Sequence, residues 1–529
     1  MAETNTTIDE TSTVPEALAA TSLYDLLRTA AGDAGQTVIE YRTPDARTDL
    51  TVGQLLSRAE HVAAGLRARG IREGDVISAQ LSNRPEATVL QLAAVILGAT
   101  LAPIVPVFGP RDVAAVLQDA RPALFVTERG WGKFDYLAGL DSLPAGLLPE
   151  TVVVGGAPGR VDWDDLEGTA ERVSDLPALD PARPCLIIYT SGSTGMPKGV
   201  VHTVGSIFAE VLDFDYRAHG DSDRDVYLQG SAAGHIGGYM FPWRAIRYRM
   251  KTIVMDGWNA ALACRLVTEE RVTAMVTTPF HSVSMFDTAD RDASVDLSSL
   301  AMMMTGGAPV GPALVERADR YGVNIVRAYG MSEHPTVAIG DWRDPLEIRA
   351  STDGYLTGDN RIRLLDDDDR DVLDGDLGEV VVRGPEQFAG YTNVPREEAF
   401  TADGWYRTGD IGRYVDGRLT ILDRKKNIII RGGENLSATE IEDIVATHAA
   451  VAEVGVVGVP DERYGERACA FVVLNDGHGL TLDDLRDHFV GQGAAKQKIP
   501  EVLRFVDALP RTGTGKLRKA ELLKLLEDG

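Results

Sequence analysis

Cysteine is scarce in this chain of 529 residues, which contains only Cys185, Cys264 and Cys469. Three isolated cysteines fit neither a zinc motif nor a disulfide framework, because both need cysteines at short and regular spacings. We therefore expect a protein of a reducing compartment, and we place it in the cytoplasm.

Positive charge is also in short supply. The chain has 53 lysines and arginines against 79 aspartates and glutamates, which gives a formal net charge of -26 at pH 7. A surplus of negative charge repels the phosphates of nucleic acids and the surface of anionic membranes. The charge balance argues against both as partners.

Long uninterrupted apolar runs are missing as well. The longest apolar stretch, from Leu90 to Phe108, is broken by Gly98, Pro103 and Pro106. It therefore predicts a buried helix followed by a buried strand, and we expect no membrane span. Residues 1–21 lack the basic start and apolar centre of a signal peptide, and we interpret them as a disordered tail.

Hydroxyl groups and glycines are concentrated in the stretch YTSGSTGMPKGV, from Tyr189 to Val200. The apolar run Cys185–Tyr189 predicts a buried strand before it, and the spacing from Val200 to Leu212 predicts a helix after it. The loop would then lie at the C-terminal end of a strand, where open α/β sheets bind ligands. Backbone N–H groups, hydroxyls and a lysine in such a loop can surround a phosphate.

The position of the lysine excludes a Walker A loop. That motif places its lysine at the start of the helix after four variable residues and a glycine. Here Pro197 precedes Lys198 and Gly199 follows it. A flexible turn that binds nothing is the alternative to a phosphate-binding loop.

Three further apolar runs end in polar strings. Thr273–Val276 leads into TTPF, Ala301–Met304 into TGGAP, and Asn324–Ala328 into YGMSEH. Helical segments lie between these runs, which predicts a doubly wound α/β arrangement with its chemistry at the strand ends.

The pattern changes after about residue 355. The alternating stretches Arg361–Leu365 and Gly378–Arg383 predict a small antiparallel β unit. The acidic run Asp366–Asp371 between them predicts a solvated hairpin tip, with a metal site as the alternative. The charged string LDRKKN at 422–427 is a candidate domain boundary, and an α+β piece of about a hundred residues follows it.

The motifs, taken in order, resemble those of the class I adenylate-forming superfamily, which contains acyl-CoA synthetases, stand-alone adenylation domains and luciferases. The family order is YTSGSTGMPKGV, GHIGG, TGGAP, YGMSE, YRTGD, DRKKNIIIRGGEN and PRTGTGK, and the similarity covers about residues 22 to 527. The resemblance implies an α/β fold. A large N-terminal domain, 22–423, would combine doubly wound α/β layers with the antiparallel β unit. A hinge at 424–426 and a small mobile α+β C-terminal domain, 427–527, would complete it.

The resemblance implies an ATP site built from several of these motifs. The first loop would surround the β- and γ-phosphates with Thr190, Ser191, Gly192, Ser193, Thr194, Gly195 and Lys198. The adenine and the α-phosphate would be bound by Gly307, Ala308, Pro309, Ala328, Tyr329, Gly330, Met331 and Ser332. Glu333, helped by Thr190, would hold Mg²⁺, and Asp410 would bind the ribose hydroxyls with support from Arg424.

The resemblance also implies the reaction. Lys516 would be catalytic and would reach the bond that forms between a substrate carboxylate and the α-phosphate of ATP, where negative charge accumulates. A thiol would then attack the acyl-AMP. Rotation about Lys426 would bring Gly432 and Gly433 to the site, where they would border a tunnel for the pantetheine arm of CoA, the expected co-substrate.

The acyl pocket of the family would consist here of His235, Ile236, Gly237, Gly238, Phe280 and Gly306. His235 would line the pocket and act on the carboxylate, with a buried core histidine as the alternative. No Asp or Glu occurs between Gln229 and Trp243 to read an ammonium group, which argues against an amino-acid substrate. We expect an apolar carboxylic acid of medium-chain, alicyclic, aryl or steroid-side-chain type.

Several alternatives stay open at this point. CoA is the favoured acceptor because of the RGGEN string at Arg431–Asn435, whereas a stand-alone ligase that loads a carrier protein is the alternative. A homodimer could form. A silent nucleotide-binding module is disfavoured because Lys516, Glu333 and Asp410 are all present. The basic string Arg244–Lys251 predicts a solvated helix face, with a site for a CoA phosphate or an acidic partner as the alternative.

Overall fold

The computed structural model describes residues 28–29, 31–32, 37–169, 171, 173, 180–190, 197–213, 224–373, 375–431, 434–461, 463–492, 494–511 and 517–527. The predicted tail at 1–21 lies outside these residues. So do the following predicted site residues: Ser191, Gly192, Ser193, Thr194, Gly195, Gly432, Gly433 and Lys516.

The strands of the first part of the described chain are β1 (Val38–Arg42), β2 (Arg47–Thr51), β3 (Val76–Gln80), β4 (Thr100–Ile104), β5 (Leu124–Glu128), β6 (Gly130–Trp131), β7 (Phe134–Asp135), β8 (Glu150–Val154), β9 (Val161–Asp162), β10 (Pro184–Thr190), β11 (Lys198–Thr203), β12 (Val226–Gln229), β13 (Lys251–Met255) and β14 (Ala274–Thr277). Those of the second part are β15 (Met302–Gly306), β16 (Asn324–Met331), β17 (His334–Ile339), β18 (Tyr355–Leu356), β19 (Arg361–Leu365), β20 (Gly378–Arg383), β21 (Gly390–Tyr391), β22 (Tyr406–Val415), β23 (Arg418–Arg424), β24 (Ile428–Arg431), β25 (Glu434–Ser437), β26 (Val451–Asp461), β27 (Gly465–Leu474) and β28 (Val502–Phe505).

The helices in the same residues are α1 (Val52–Ala68), α2 (Pro85–Leu97), α3 (Pro110–Ala120), α4 (Tyr136–Asp141), α5 (Trp163–Glu167), α6 (Val204–Asp213), α7 (Ile236–Tyr248), α8 (Ala260–Glu270), α9 (Pro279–Arg291), α10 (Pro312–Asp319), α11 (Leu346–Ser351), α12 (Arg396–Ala399), α13 (Ala438–Ala446), α14 (Leu482–Gly491) and α15 (Lys519–Glu527). Single 3₁₀ turns occur at Lys425–Asn427 and Lys496–Lys498.

One large sheet carries most of the predicted strand-end motifs. Its order is β18-β17-β16-β15-β14-β12-β13-β1-β2, and the strands from β16 to β1 are parallel. The TTPF, TGGAP and YGMSEH strings follow or end β14, β15 and β16, so they meet at the same edge of this sheet. The three strands predicted before those strings are confirmed.

The second large sheet has the order β21-β11-β10-β4-β3-β5-β8-β9. The predicted strand before the glycine-rich loop is confirmed as β10. The helix predicted to follow the loop at once is wrong, because the chain returns as β11, antiparallel to β10, and α6 begins only at Val204. The β-branched residues Val200 and Val201 favour a strand, and β11 is buried between β10 and β21.

The apolar stretch from Leu90 to Phe108 has the predicted form. It contains most of α2, a turn at Gly98 with a left-handed φ of 71°, and then the fully buried β4. A left-handed residue after a helix favours glycine, which explains the break in the apolar run. Throughout the described ranges, every helix is too short or too polar to cross a membrane.

The antiparallel unit is confirmed as a sheet of order β19-β20-β22-β23. The acidic run is an exposed turn between β19 and β20, and its carboxylates pair with Arg363, Arg370, Arg407 and Lys425. No three metal-ligating side chains form a cluster anywhere in the described residues. The hairpin-tip interpretation of Asp366–Asp371 is therefore the one that agrees with the structure.

The chain changes sheets at the predicted boundary. β23 ends at Arg424, the turn Lys425–Asn427 follows, and β24 opens the last sheet, in which β25, β24, β27 and β26 are antiparallel and β28 pairs with β27. The predicted fold class, a large α/β N-terminal part followed by a smaller α+β part, is confirmed. The exact division into two domains stays a prediction.

The solvated face predicted for Arg244–Lys251 is wrong for its first residue. Arg244 lies on the buried side of α7 and forms an ion pair with Glu210 of α6, whose carboxylate also accepts a hydrogen bond from Thr336. The side chains of Arg244 and Glu210 are 5% and 0% exposed. Arg247, about one turn further along α7, is exposed as predicted.

We expect Arg244→Met to lower the free energy of unfolding by about 3–5 kcal/mol, because it leaves the Glu210 carboxylate buried without its cation. Urea unfolding would measure the loss. Arg247→Met on the exposed side of the same helix is the matched control and should change little. The double variant Glu210→Gln/Arg244→Met should recover part of the loss. Equal losses in both single variants would contradict the role of the buried pair.

Candidate functional site

The two ends of the glycine-rich loop are fixed by the β10–β11 hairpin. Thr190 and Lys198 are paired across it. Outside the hairpin, the Asp119 carboxylate accepts a hydrogen bond of 2.7 Å from the Tyr189 hydroxyl, and Asn393 bridges Asp119 and the carbonyl of Pro197. These contacts hold both strands that enter the predicted phosphate loop.

Glu333 lies in the turn between β16 and β17, at the edge where Lys198 also emerges. Its carboxylate accepts a hydrogen bond of 2.6 Å from the Tyr391 hydroxyl, and that hydroxyl lies 3.2 Å from the Tyr406 hydroxyl. The Lys198 ammonium lies 5.1 Å from the centre of the Tyr391 ring. Tyr391 therefore joins a cation of the second sheet to a carboxylate of the first.

Asp410 on β22 is a buried carboxylate with two fixed partners. It accepts a hydrogen bond of 2.7 Å from the Tyr329 hydroxyl and forms an ion pair of 2.9 Å with Arg424. Burial raises the pKa of Asp410, and the positive charge of Arg424 opposes that shift. Burial and the positive charges of Arg424 and Lys198 lower the pKa of Lys426. The positive charges of Lys198 and Arg424 therefore lie close enough to Lys426 to act on it.

Two buried histidines lie behind the YGMSEH turn. His202 on β11 contacts the Ser332 carbonyl at 2.6 Å through Nε2 and the Ser206 hydroxyl at 3.0 Å through Nδ1. His334 contacts the amide oxygen of Asn360 at 2.8 Å. The turn that carries Ser332 and Glu333 is thus held from its inner side by β11.

The predicted acyl-pocket residues lie around the start of α7 and α9. His235 is the residue that immediately precedes α7, and Ile236 and Gly237 begin that helix. Phe280, near the start of α9, is half exposed. His281 stacks on Trp258 with ring centres 4.2 Å apart, and burial followed by the charge of His235 lowers the pKa of His281 to about 4. His281 is therefore neutral at pH 7 beside His235.

Close backbone contacts explain several glycines of these motifs. A Cβ at Gly306 would lie 2.4 Å from the Ala328 carbonyl oxygen, and one at Gly238 would lie 1.9 Å from the Ala232 carbonyl oxygen. Gly307, with φ of 75°, lies next to Thr278 and so connects the TGGAP string to the acyl side. Gly237 differs, because no atom lies within 4 Å of a Cβ built there.

The described residues thus fall into two neighbouring groups. The first group is the predicted nucleotide side and contains Thr190, Lys198, Glu333, Tyr329, Asp410, Arg424 and Lys426. The second group is the predicted acyl side and contains His235, Ile236, Gly237, Phe280 and Gly306. The loop residues Ser191–Gly195, the pair Gly432 and Gly433, and Lys516 lie outside the described residues, so their predicted roles stay predictions.

Several residues of the site were missed from the sequence. Tyr391 and Trp258 lie outside the motifs that carry the resemblance, although Tyr391 follows a glycine in the turn-like string FAGYTN and could have been noticed. His281 lies in the segment Thr277–Met285, from which the acyl pocket is predicted to draw. His202 lies four residues after Lys198, on what the sequence predicted as a helix. Because the strand β11 was missed, the contact of His202 with Ser332 could not be foreseen.

Comparison with known proteins agrees with this geometry. The sequence model described as AMP-binding enzyme matches residues 26–392, and the one described as AMP-binding enzyme C-terminal domain matches residues 440–516. An indoleacetate–CoA ligase from Aromatoleum aromaticum is 32% identical over 94% of this chain and 97% of its own length. A medium-chain fatty-acid–CoA ligase from Escherichia coli is 30% identical over 90% of this chain and 85% of its own length.

A solved structure agrees as well. The ATP-bound MatB from Rhodopseudomonas palustris superposes with a TM-score of 0.84 at 25% identity, over 95% of this chain and 99% of that protein. The chain belongs to the AMP-binding enzyme family. The class I adenylate-forming superfamily, predicted from the motifs, is thereby confirmed, and the protein is an AMP-forming ligase of that class.

We expect the stability of the protein to fall as the pH drops from about 6.5 to 4. Burial lowers the pKa of His202, His281 and His334 from the ordinary 6.5 to about 4, so each takes up a proton on unfolding within that window. Each histidine should add about 1.4 kcal/mol per pH unit to the slope of the unfolding free energy. The stability that depends on the neutral forms is complete above pH 6.5.

Urea unfolding at several pH values would measure this slope. His202→Gln keeps a donor for the Ser332 carbonyl but cannot titrate. It should therefore reduce the slope by the contribution of one histidine, about 1.4 kcal/mol per pH unit. His478→Gln, at an exposed position, is the matched control and should leave the slope as in the wild type. If His202→Gln left the slope unchanged, the lowered pKa of His202 would be contradicted.

Proposed function

We propose that the protein activates an apolar carboxylic acid with ATP and transfers the acyl group to CoA. The observation that carries the proposal is the convergence of Lys198, Glu333, Asp410 and Arg424 from four separate segments, through Tyr391 and the Asp410–Arg424 ion pair. The predicted acyl-pocket residues His235 and Phe280 lie at the starts of α7 and α9. The similarity to two CoA ligases over nearly the whole chain supports the same conclusion.

The nucleotide would be bound by groups of matched charge. Lys198 and the glycine-rich loop would contact the β- and γ-phosphates, and Ser332 the α-phosphate. Asp410 would accept hydrogen bonds from the ribose hydroxyls, because burial and its contact with Arg424 hold the carboxylate in one orientation. Gly307, Ala308 and Pro309 would border the adenine, with Tyr329 stacked on it.

In the first step, a carboxylate oxygen of the substrate attacks the α-phosphorus of ATP. A new O–P bond forms, the bond to the β-phosphate breaks, and pyrophosphate leaves. Lys516 would stabilise the negative charge that accumulates at the reacting oxygens. His235, next to the neutral His281, would place the carboxylate for this attack.

The residues also suit a magnesium ion. The Glu333 carboxylate and the Thr190 hydroxyl would hold Mg²⁺, which prefers oxygen ligands, and Tyr391 would orient the carboxylate by its hydrogen bond. The ion would neutralise part of the phosphate charge when bound.

In the second step, the thiol of CoA attacks the carbonyl carbon of the acyl-AMP. A thioester forms, AMP leaves, and the thiol proton passes to solvent. Lys426 would be the pivot of a rotation of the smaller part of the chain, and Gly432 and Gly433 would then border the path of the pantetheine arm. Division into domains at 422–427 agrees with the change of sheets there.

The substrate we propose is uncharged apart from its carboxylate. The predicted lining includes Ile236, Phe280 and His235, and His281 with its stacking partner Trp258 follows Phe280. No acidic residue lies between Gln229 and Trp243. Aromatic and apolar walls favour aryl, alicyclic or medium-chain acids over amino acids.

The proposal is tested by release of AMP and pyrophosphate from ATP and Mg²⁺ with octanoate, cyclohexanecarboxylate, phenylacetate, a steroid-side-chain acid and free amino acids. We expect continuous turnover with one apolar class, and only when CoA is present. Glu333→Gln should abolish release, whereas the surface variant Glu347→Gln should not. Release that stops after one pyrophosphate per enzyme with or without CoA would favour a carrier protein as acceptor. Turnover with amino acids alone would contradict the proposed substrate.

We expect Gly237→Val to change substrate preference without loss of folding. The added side chain enters the open space beside Gly237, so kcat/KM for the largest accepted acid should fall by about tenfold or more relative to the smallest. Gly491→Val, also in open space but on α14, is the matched control and should leave the ratio unchanged. An equal loss for all acids would show that Gly237 does not limit the pocket.

A further inference from the structure

A buried asparagine makes an unusual set of contacts next to the acyl pocket. Asn83 lies in the loop between α2 and β3, a strand of the second large sheet, and is 4% exposed. Its side-chain amide donates hydrogen bonds of 2.8 Å to the Ser231 carbonyl and 2.9 Å to the Met255 carbonyl. Its amide oxygen accepts one of 2.8 Å from the Ala233 N–H. All three partners are backbone groups of the first large sheet and the loop after β12.

These bonds fix the loop that ends at His235. Ser231 and Ala233 are bound by Asn83, and the intervening Ala232 carbonyl accepts the His235 N–H at 2.9 Å. The next residue is held too, because Gly234 packs directly on the backbone of Ile104 and Val105. The His235 carbonyl then accepts the first hydrogen bond of α7, from Tyr239 at 2.8 Å. The position of the His235 backbone therefore follows from the contacts of Asn83.

We propose that Asn83 is a positioning residue for acid recognition: it sets the loop 231–235, and with it His235, without contacting the substrate. The proposal rests on the proposed function for the assignment of His235 to the acyl pocket. Asparagine suits the role because one planar group supplies two donors and one acceptor in fixed directions. The contact also links the loop after β3 of the second large sheet to the first large sheet, close to the predicted pocket residue His235.

Removal of the amide should affect the pocket more than the fold. Asn83→Ala removes the amide that binds the Ala233 N–H and the Ser231 and Met255 carbonyls, and the Ser231 carbonyl keeps only the Gln229 amide at 3.1 Å. The loss favours a rearranged loop in which water replaces the missing partners. The loop lies beside the acid site, whereas the ATP side is held separately by Tyr391, His202 and Asp119. The damage should therefore appear in acid binding and not in nucleotide binding.

The first experiment compares KM values of wild type and Asn83→Ala for ATP, CoA and whichever acid of the panel turns over. We expect KM for the acid to rise by about tenfold or more, while KM for ATP changes less than about twofold. Asn475→Ala is the matched control, since Asn475 donates two hydrogen bonds to backbone carbonyls far from the pocket. Equal increases for acid and ATP, or an increase in Asn475→Ala as well, would overturn the proposal.

A second measurement does not depend on activity. Hydrogen exchange of the protein without substrates, followed by mass spectrometry, should be faster in Asn83→Ala for peptides that contain residues 231–239. Peptides from 198–206, which contain His202, should exchange as in the wild type. Unchanged exchange at 231–239 would overturn the positioning role, even if no acid of the panel were turned over and the proposed function failed.

Asn83→Asp gives a pH signature that a purely structural loss would not give. Its carboxylate faces the Ser231 and Met255 carbonyls without a proton to donate, whereas the protonated acid can donate to one of them. Burial raises the pKa of such a carboxyl group. KM for the acid in Asn83→Asp should therefore approach the wild-type value as the pH is lowered from 8 to 6, and a pH-independent defect would count against the proposal.

Discussion

The hydrogen bond between the Tyr391 hydroxyl and the Glu333 carboxylate joins the two large sheets at the edge where we propose the nucleotide site. Tyr391 belongs to β21, which pairs with the hairpin strand β11, and Glu333 belongs to the turn after β16. The bond between Tyr329 and Asp410 then adds the antiparallel sheet. These two tyrosines, together with the contact of His202 with the Ser332 carbonyl, bring Lys198, Glu333 and Asp410 of three sheets together.

This arrangement also separates charge. Lys198 rests over the ring of Tyr391 and Arg424 pairs with Asp410, so neither cation neutralises Glu333 directly. A ring contact holds a cation less strongly than a carboxylate does, particularly at an exposed site. In the proposed nucleotide site, the Lys198 ammonium would therefore be available for a phosphate, and the Glu333 carboxylate would be available for a cation. Tyr391 therefore holds Lys198 and Glu333 near each other without a direct ion pair between them.

The local sequence was sufficient to predict the strands that carry the motifs. It was not sufficient to predict the long-range contacts that join those strands. The strands before TTPF, TGGAP and YGMSEH could be predicted because their apolar runs are short, β-rich and followed by glycine or proline. The return of the chain as β11 could not, because Val200 and Val201 are the only strong strand formers side by side in KGVVHT, and pairing with β10 and β21 decides its structure. Arg244 was misjudged for a similar reason, since its partner Glu210 is supplied by another helix.

The contacts that connect distant segments cannot be predicted from the residues on either side of them in the sequence. Asn83 precedes the loop it binds by about 150 residues, and a single asparagine before a proline-started helix looks like ordinary turn chemistry. What distinguishes Asn83 is that its amide points away from its own turn and satisfies three backbone groups of another sheet. The nucleotide side and the acyl side are thus held by different sets of long-range polar contacts, through Tyr391 and His202 on one side and Asn83 on the other. Because the two sets share no residue, a change in the contacts of Asn83 would leave those of Tyr391 and His202 in place, which suits a family that applies one activation chemistry to many acids.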